Sequence, residues 1–284
     1  MHILVTGSNG QLGNEIKNIA SNYPDYDFVF TDIEELDITN NDAINDFFEE
    51  NKFDILINCA AYTAVDKCET NKLKARAINV LAVKSLAIAC SKHNMGMIQI
   101  STDYVYDGLN HLPYKETDFT NPQSFYGETK LEGEEMLAEF CDNGIIIRTS
   151  WLYSSYGNNF VKTVLKYTKE HNLMRVVYDQ VGSPTYAADL AKVIIDSIEN
   201  LTFMKGIHLY NYSNEGVCSW YDFAKEITEI KGIECKIKPI ETFEYPLPAK
   251  RPAYSVLNKS KIKNEVNIEI PHWKDSLKQC LKKL

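Results

Sequence analysis

The stretch HILVTGSNGQLG, residues His2 to Gly13, decides the fold of this chain. A short apolar run, typical of a buried strand, leads directly into glycines at positions 7, 10 and 13 and then into a helical pattern. Glycines in this arrangement permit a tight turn, a close backbone approach to a pyrophosphate, and close packing of the helix on the strand. The helix N-terminus also attracts an anion. The stretch therefore predicts a strand, a phosphate-binding loop and a helix in a dinucleotide-binding unit.

The same alternation of apolar runs and helical patterns continues to about residue 150. The apolar runs are DFVFT (27–31), DILINCA (54–60), MIQIS (97–101) and IIIRTSW (145–151), with helical patterns between them. Such alternation predicts an α/β fold, namely a Rossmann-like doubly wound parallel sheet. Turn-rich segments and further helical patterns follow. We expect an NAD(P)-binding domain over 1–150 and, over 151–284, mainly a smaller interleaved substrate-binding lobe with segments that return to the first domain.

Composition narrows the class of protein. A formal net charge of −9 over 284 residues disfavours a nucleic-acid binder that neutralises phosphates broadly. The apolar run at the start leaves no room for a signal peptide, and no run reaches the ~18 apolar residues of a membrane span. The seven cysteines form no Cys-x-x-Cys pair, and the six histidines lack metal-ligand spacing. We expect a cytoplasmic protein with reduced thiols, no metal site, and no nucleic-acid or membrane partner.

Two carboxylates follow the second predicted strand. Asp32 ends that strand nineteen positions after Gly13, where a carboxylate can accept hydrogen bonds from an adenosine ribose. Asp37 follows shortly afterwards, and either residue can also serve as a helix cap or a turn residue. No lysine or arginine occurs between Lys17 and Lys52 to bind a 2′-phosphate. The pattern favours NADH over NADPH as the cofactor, without excluding NADPH.

A set of polar side chains suited to proton transfer follows the fourth predicted strand. Ser101, Thr102 and Asp103 lie at its end, and Tyr126 and Lys130 follow at i and i+4 spacing on one helix face. The spacing of the tyrosine and lysine alone favours an ordinary surface pair. A hydroxyl, a phenol and an ammonium together can protonate or deprotonate an oxygen beside a nicotinamide. Their convergence predicts catalysis.

Several separate motifs carry a family resemblance over nearly the whole chain. They are GSNGQLG (7–13), NCAAYTAVDKCE (58–69), STDYVYDG (101–108), YGETK (126–130), RTSWLY (148–153), DQVGSPTYAADLA (179–191) and RPAYSVLN (251–258). Together they resemble the extended short-chain dehydrogenases/reductases, and most closely the members that reduce 4-keto nucleotide sugars. The resemblance implies reduction of dTDP-4-dehydro-L-rhamnose to dTDP-L-rhamnose by hydride transfer from NAD(P)H, with Tyr126 as the proton donor.

The resemblance also implies roles for individual residues. Cofactor contacts would come from Gly7, Gly10, Gln11, Leu12, Gly13, Asp32, Asp37, Ile38, Ala61, Tyr62, Thr63, Tyr126 and Lys130. Tyr62 stands where some relatives have histidine. Thr102 would assist catalysis, and substrate contacts would come from Thr102, Asp103, Trp151 and Arg251. A core role for Trp151 and an exposed-loop role for Arg251 remain alternatives. We expect the Lys130 cation to lower the pKa of Tyr126 from its usual ~10.

Two other functions remain open. One is a nucleotide-sugar 4,6-dehydratase or epimerase, but the Asp-Glu pair of the dehydratases is here Asp103-Tyr104. The other is a non-catalytic regulatory subunit, which the presence of both Tyr126 and Lys130 disfavours. Some relatives are thought to use magnesium at a dimer contact, and no position for it can be read from this sequence. A monomer and a homodimer are equally compatible with the sequence.

Overall fold

A six-stranded parallel sheet lies at the centre of the computed structural model, which describes residues 1–202 and 205–284, without the side chains of 199–202. The strands of the protein are β1 (His2–Thr6), β2 (Asp27–Thr31), β3 (Ile55–Asn58), β4 (Gly96–Thr102), β5 (Asn143–Thr149), β6 (Leu152–Tyr153), β7 (Leu173–Val177), β8 (Val181–Gly182), β9 (Thr185–Tyr186), β10 (Gly206–Tyr212), β11 (Cys218–Ser219) and β12 (Lys236–Ile240). The central sheet has the order β10-β5-β4-β3-β1-β2. The predicted parallel sheet is confirmed.

Helices connect these strands and cover both faces of the sheet. They are α1 (Gln11–Ile19), α2 (Asn41–Glu50), α3 (Val65–Cys68), α4 (Lys72–Arg76), α5 (Ala82–Lys92), α6 (Phe125–Phe140), α7 (Phe160–Glu170), α8 (Ala187–Thr202), α9 (Trp220–Lys231), α10 (Ser260–Val266) and α11 (Trp273–Lys282). A π-helical turn, Ala77–Leu81, joins α4 to α5. Ile16, Leu190 and Ile194 pack on one face of the sheet, whereas Phe48 and Leu86 pack on the other. This two-sided core confirms the doubly wound prediction.

The direction in which the chain crosses the sheet creates a crevice. From β1 the chain moves outward to β2 and then returns to β3 on the other side of β1. Loops leaving β1 and β3 therefore diverge at the carboxyl edge of the sheet, which is where doubly wound folds bind ligands. The glycine loop follows β1, and residues 59–64 follow β3. The fold thus places both predicted cofactor segments at one crevice.

The second half of the chain builds a smaller core and also returns to the main sheet. Strands β6 and β9, β8 and β11, and β7 and β12 form three two-stranded sheets. Tyr153, Val161, Phe223 and Leu277 pack together in the core beside them. In contrast, α8 packs on α1, and β10 pairs with β5. The division into a domain over 1–150 and a lobe over 151–284 stays a proposal. Within the described residues, no helix combines the length and apolar character needed to cross a bilayer.

Candidate active site

The glycine loop after β1 packs directly against the loop after β3. Gly7 has a φ of +65°, and a Cβ atom there would lie 2.6 Å from the Cα of Ala60. A Cβ atom at Gly13 would lie 2.5 Å from the Cα of Ser8. Gly10 is the N-cap of α1 and makes no side-chain capping bond, so the first amides of the helix face the crevice without a competing side chain. The loop is a backbone cradle suited to a pyrophosphate.

One half of the crevice, about 550 Å³, contains the predicted adenosine residues. Asp32, Asp37 and Ile38 line it together with Gly7 and Gly10. The Asp32 carboxylate accepts hydrogen bonds from the backbone amides of Asn9 and Ile33, at 2.9 Å each. One carboxylate oxygen of Asp37 accepts hydrogen bonds from the amide and the hydroxyl of Thr39. Asp32 therefore also ties the glycine loop to the end of β2, and Asp37 holds a local turn, while both carboxylates line the adenosine end.

The other half is a cleft of about 570 Å³ that contains the predicted catalytic set. Its lining includes Gln11, Leu12, Ala61, Thr63, Thr102, Asp103, Tyr126, Lys130 and Trp151. Gly10, Cys59 and Ala61 line both halves, so the two form one continuous groove. Gln11 and Trp151, which are 140 positions apart in the chain, are thereby brought to one surface.

Helix α6 presents Tyr126 in its first turn. The Ser124 hydroxyl caps the helix by accepting a hydrogen bond from the Gly127 amide at 3.2 Å. Gly127 has to be small, since a Cβ atom there would lie 2.3 Å from the carbonyl oxygen of Tyr104. Burial raises the pKa of Tyr126 well above its usual value, although a hydrogen bond with Thr102 opposes this shift. The phenol is therefore protonated at neutral pH.

The expectation that Lys130 lowers the pKa of Tyr126 is wrong for this structure. Lys130 is buried, and its ammonium donates a hydrogen bond to the carbonyl oxygen of Ile100 at 2.6 Å. Burial lowers the pKa of Lys130 to about 8, against the opposing influence of the Glu134 carboxylate. The desolvation of the Tyr126 phenol therefore dominates its titration. A phenol with a raised pKa can still act as a proton donor.

Thr102 and Asp103 lie beside the phenol at the end of β4. The Thr102 hydroxyl donates a hydrogen bond to the Asp103 carboxylate at 3.0 Å. Burial raises the pKa of Asp103 to about 7, although the hydrogen bond from Thr102 opposes this shift. At neutral pH a substantial fraction of Asp103 is thus uncharged and able to donate a hydrogen bond. Asp103 thus lies in the lining of the cleft as a buried carboxyl that is charged in only part of the molecules at neutral pH.

The family described as "RmlD substrate binding domain" matches residues 1–284 of this chain. This chain belongs to that family. A relative, the dTDP-4-dehydrorhamnose reductase of Aggregatibacter actinomycetemcomitans, is 39% identical over 285 residues, which cover 97% of each chain. A crystal structure of the Clostridium acetobutylicum dTDP-4-dehydrorhamnose reductase is 45% identical, covers 99% of both chains and has a TM-score of 0.94. The Bacillus anthracis dTDP-4-dehydrorhamnose reductase in complex with NADP is 36% identical, covering 100% of this chain and 99% of its own, with a TM-score of 0.94.

Two predicted site residues of this RmlD-family chain point elsewhere. The Tyr62 hydroxyl accepts a hydrogen bond from the Asn71 side chain at 3.3 Å, and Tyr62 packs in a small cluster with Cys68. Arg251 forms two hydrogen bonds with the Asp66 carboxylate, at 2.5 and 2.6 Å. Neither residue lines the catalytic cleft, whereas Thr63 does. The assignments of Tyr62 to the cofactor and of Arg251 to a diphosphate stay predictions.

Three further residues that line the groove were not predicted from the sequence. Lys74 lines the adenosine half, and Asn158 and Trp220 line the catalytic half. Lys74 reaches the groove from α4, far in sequence from Asp32, so a search for nearby cations could not find it. Trp220 begins α9 in an ordinary amphipathic helix pattern that carries no functional signal. Within residues 1–202 and 205–284, no group of three or more His, Cys, Asp or Glu side chains is arranged to hold a metal ion.

Proposed function

We propose that this RmlD-family protein reduces the C4 carbonyl of dTDP-4-dehydro-L-rhamnose to give dTDP-L-rhamnose. The observation that carries the proposal is the convergence of Thr102, Tyr126 and Lys130 on one cleft that is continuous with the glycine-loop groove. NAD(P)H bound in that groove supplies the hydride. The backbone cradle at Gly7, Gly10 and Gly13 suits the pyrophosphate of such a cofactor, because side chains at Gly7 and Gly13 would collide with the backbone of Ala60 and Ser8 and disrupt the turn.

The chain itself supplies the proton and the alignment. Tyr126 donates the phenolic proton to the oxygen at C4, and its raised pKa keeps that proton available at neutral pH. We assign to Thr102, which lines the same cleft as Tyr126, the orientation of the phenol toward the carbonyl. We assign Lys130 to the cofactor ribose, and Asp103 and Trp151 to the sugar. The cleft walls exclude bulk water from the donor, since Tyr126 is only 9% exposed.

The test of the reaction class uses two nucleotide sugars. The purified protein is expected to consume one equivalent of NADH or NADPH per 4-keto-6-deoxy sugar nucleotide. Consumption of the reduced cofactor is followed by the absorbance of its nicotinamide band. It is not expected to dehydrate dTDP-glucose, because Tyr104 occupies the position of the dehydratase glutamate. Formation of a 4-keto-6-deoxy product from dTDP-glucose would support the dehydratase alternative instead. Absence of turnover with tight dTDP-sugar binding would support a regulatory subunit.

We propose that NADH is used at least as well as NADPH, with Lys74 setting how well NADPH competes. Asp32 places negative charge at the adenosine end, which disfavours a 2′-phosphate. Lys74 lines the same half of the groove and can meet that phosphate as a cation. We expect Lys74→Ala to lower kcat/KM for NADPH about 3- to 10-fold and to leave kcat/KM for NADH nearly unchanged.

The neighbouring Lys72 provides a matched control for this measurement. It lies on the same short helix, but its ammonium lies 4.8 Å from the centre of the Phe125 ring and does not line the groove. Lys72→Ala should therefore leave both cofactor constants unchanged. Equal losses for NADH and NADPH in the Lys74→Ala protein would contradict a role at the 2′-phosphate, and a wild-type preference for NADPH above tenfold would contradict the NADH assignment.

We further propose a cytoplasmic location and either a monomer or a homodimer. All seven cysteines are free, as is usual for chains in a reducing compartment. A formal net charge of −9 supports a small-molecule partner, the nucleotide sugar, over nucleic acid.

A further inference from the structure

The backbone turns sharply at Trp151, between the end of β5 and the start of β6. Trp151 has a φ of +48°, in the left-handed region that bulky residues rarely adopt. Its carbonyl oxygen accepts a hydrogen bond from the Thr185 amide at 3.2 Å, which ties the corner to β9. A strained conformation of this kind persists only where surrounding contacts enforce it, and it is concentrated at functional sites. The contacts that hold Trp151 in this conformation therefore bear on the function of the cleft.

An aromatic stack holds the side chain that this corner projects. The indole of Trp151 stacks on that of Trp220 with centroids 3.7 Å apart and an interplanar angle of 10°. Phe160 packs edge-on against Trp220, with centroids 4.7 Å apart. A capping box between Ser219 and Asp222 fixes the first turn of α9, from which Trp220 projects. Two helices of the second half of the chain thus brace one residue at the end of the main sheet.

Close packing on another side leaves the Trp151 ring little freedom. A Cβ atom at position 182 would lie 2.7 Å from Cε2 of Trp151, so only Gly182 leaves space for the indole. Within the described residues, neither Trp151 nor Trp220 donates a hydrogen bond from its indole nitrogen. Packing contacts, and not side-chain hydrogen bonds, therefore orient the two indole rings. Both indoles line the catalytic cleft that contains Thr102 and Tyr126.

We propose that Trp220 is a positioning residue that holds the indole of Trp151 as the wall against which the substrate sugar binds. The inference rests on the proposed function for the identity of the sugar. A stacked partner keeps Trp151 in its strained conformation, so its indole is fixed before the substrate arrives and less ordering is needed on binding. Trp220 acts on substrate affinity through Trp151, whereas the proton and hydride transfers depend on Tyr126 and the cofactor.

The test combines steady-state kinetics with circular dichroism. Trp220→Ala is expected to raise KM for the 4-keto sugar nucleotide about 3- to 10-fold, to change kcat less, and to leave the Kd for NADH unchanged. Trp220→Phe retains a ring in the stack and should restore KM to near the wild-type value. Two indoles this close should give an exciton couplet in the far-ultraviolet spectrum, lost in Trp220→Ala. The third tryptophan, Trp273, belongs to the same core cluster, but its ring packs edge-on against Phe223 and not against the stacked pair, so Trp273→Phe should retain the couplet.

Each result bears on the proposal directly. An unchanged KM in a folded Trp220→Ala protein overturns it, as does a phenylalanine variant no better than the alanine variant. If kcat and KM change together with the Kd for NADH, Trp220 is a general structural residue and the proposal is wrong. If the wild-type protein reduces no 4-keto nucleotide sugar, the proposed function fails. Calorimetric binding of dTDP-L-rhamnose to wild-type, Trp220→Ala and Trp220→Phe proteins then decides the positioning role separately.

Discussion

Replacing Tyr126 with phenylalanine is expected to lower turnover by ~10²–10⁴-fold, the usual cost of losing a general acid. The substitution removes one hydroxyl and keeps the ring, so packing against Tyr104 at a centroid distance of 5.5 Å is retained. Stability and the Kd for NADH should barely change, because the glycine loop and Asp32 are elsewhere in the groove. The measurements are kcat with a 4-keto nucleotide sugar, NADH binding by fluorescence, and thermal unfolding.

Tyr104 is the matched control for this substitution. It is a second tyrosine of the same cleft, its ring contacts Tyr126, and burial raises its pKa as well. Tyr104→Phe removes a comparable hydroxyl from the same cleft but not the assigned donor, so kcat should stay within a few-fold of wild type. Retention of more than half of the wild-type kcat by Tyr126→Phe would disprove the assignment of Tyr126 as proton donor.

Arg148→Met is expected to lower the free energy of unfolding by about 3–5 kcal/mol. Arg148 and Glu134 form a buried ion pair in which the side chains are only 4% and 6% exposed. The Arg148 guanidinium donates to the Glu134 carboxylate through Nε at 2.9 Å and Nη2 at 2.5 Å, and through Nη1 to the Tyr106 hydroxyl at 2.8 Å. Methionine fills similar space but leaves Glu134 as an unpaired buried charge. Urea unfolding followed by circular dichroism gives the change.

Two further variants separate the cost of leaving a buried charge unpaired from the cost of removing any arginine side chain. Arg76 and Glu132 form an exposed pair at 2.8 Å, with side chains 49% and 30% exposed. Arg76→Met should therefore cost less than ~1 kcal/mol. Glu134→Leu combined with Arg148→Met removes both buried charges and should recover much of the lost stability. Equal losses in the Arg76 and Arg148 variants would show that burial does not determine the cost.

The parallel sheet and its glycine loop could be predicted because their signals are local. Gly7, Gly10 and Gly13 sit between a strand pattern and a helix pattern, and Gly7 and Gly13 are each required by a close backbone approach that the structure contains. Tyr126 and Lys130 could be placed on one helix face for the same reason, because their i, i+4 spacing is close to one helical turn. The cleft lining contains both, together with Thr102.

Features that depend on distant parts of the chain could not be predicted. Lys74 reaches the adenosine half from another helix, and Asp66 engages Arg251 from 185 positions away. The pKa of Tyr126 was expected to fall because Lys130 is near in sequence, but the degree of burial decides it, and burial is a property of the assembled core. Trp220 meets Trp151 only because α9 packs beside the end of the main sheet. No local sequence pattern signals any of these contacts.

The pairing of β10 with β5 has a consequence for how this chain is synthesised. Asn143 and Gly206 meet across that pairing although they are 63 positions apart. While the ribosome is still translating the intervening residues, β5 with its isoleucines 145 to 147 is the open edge of a growing sheet. An unpaired apolar edge is where nascent chains associate wrongly with one another. Closure of the sheet is therefore a late event in translation, and premature termination near residue 150 would release a fragment prone to aggregation.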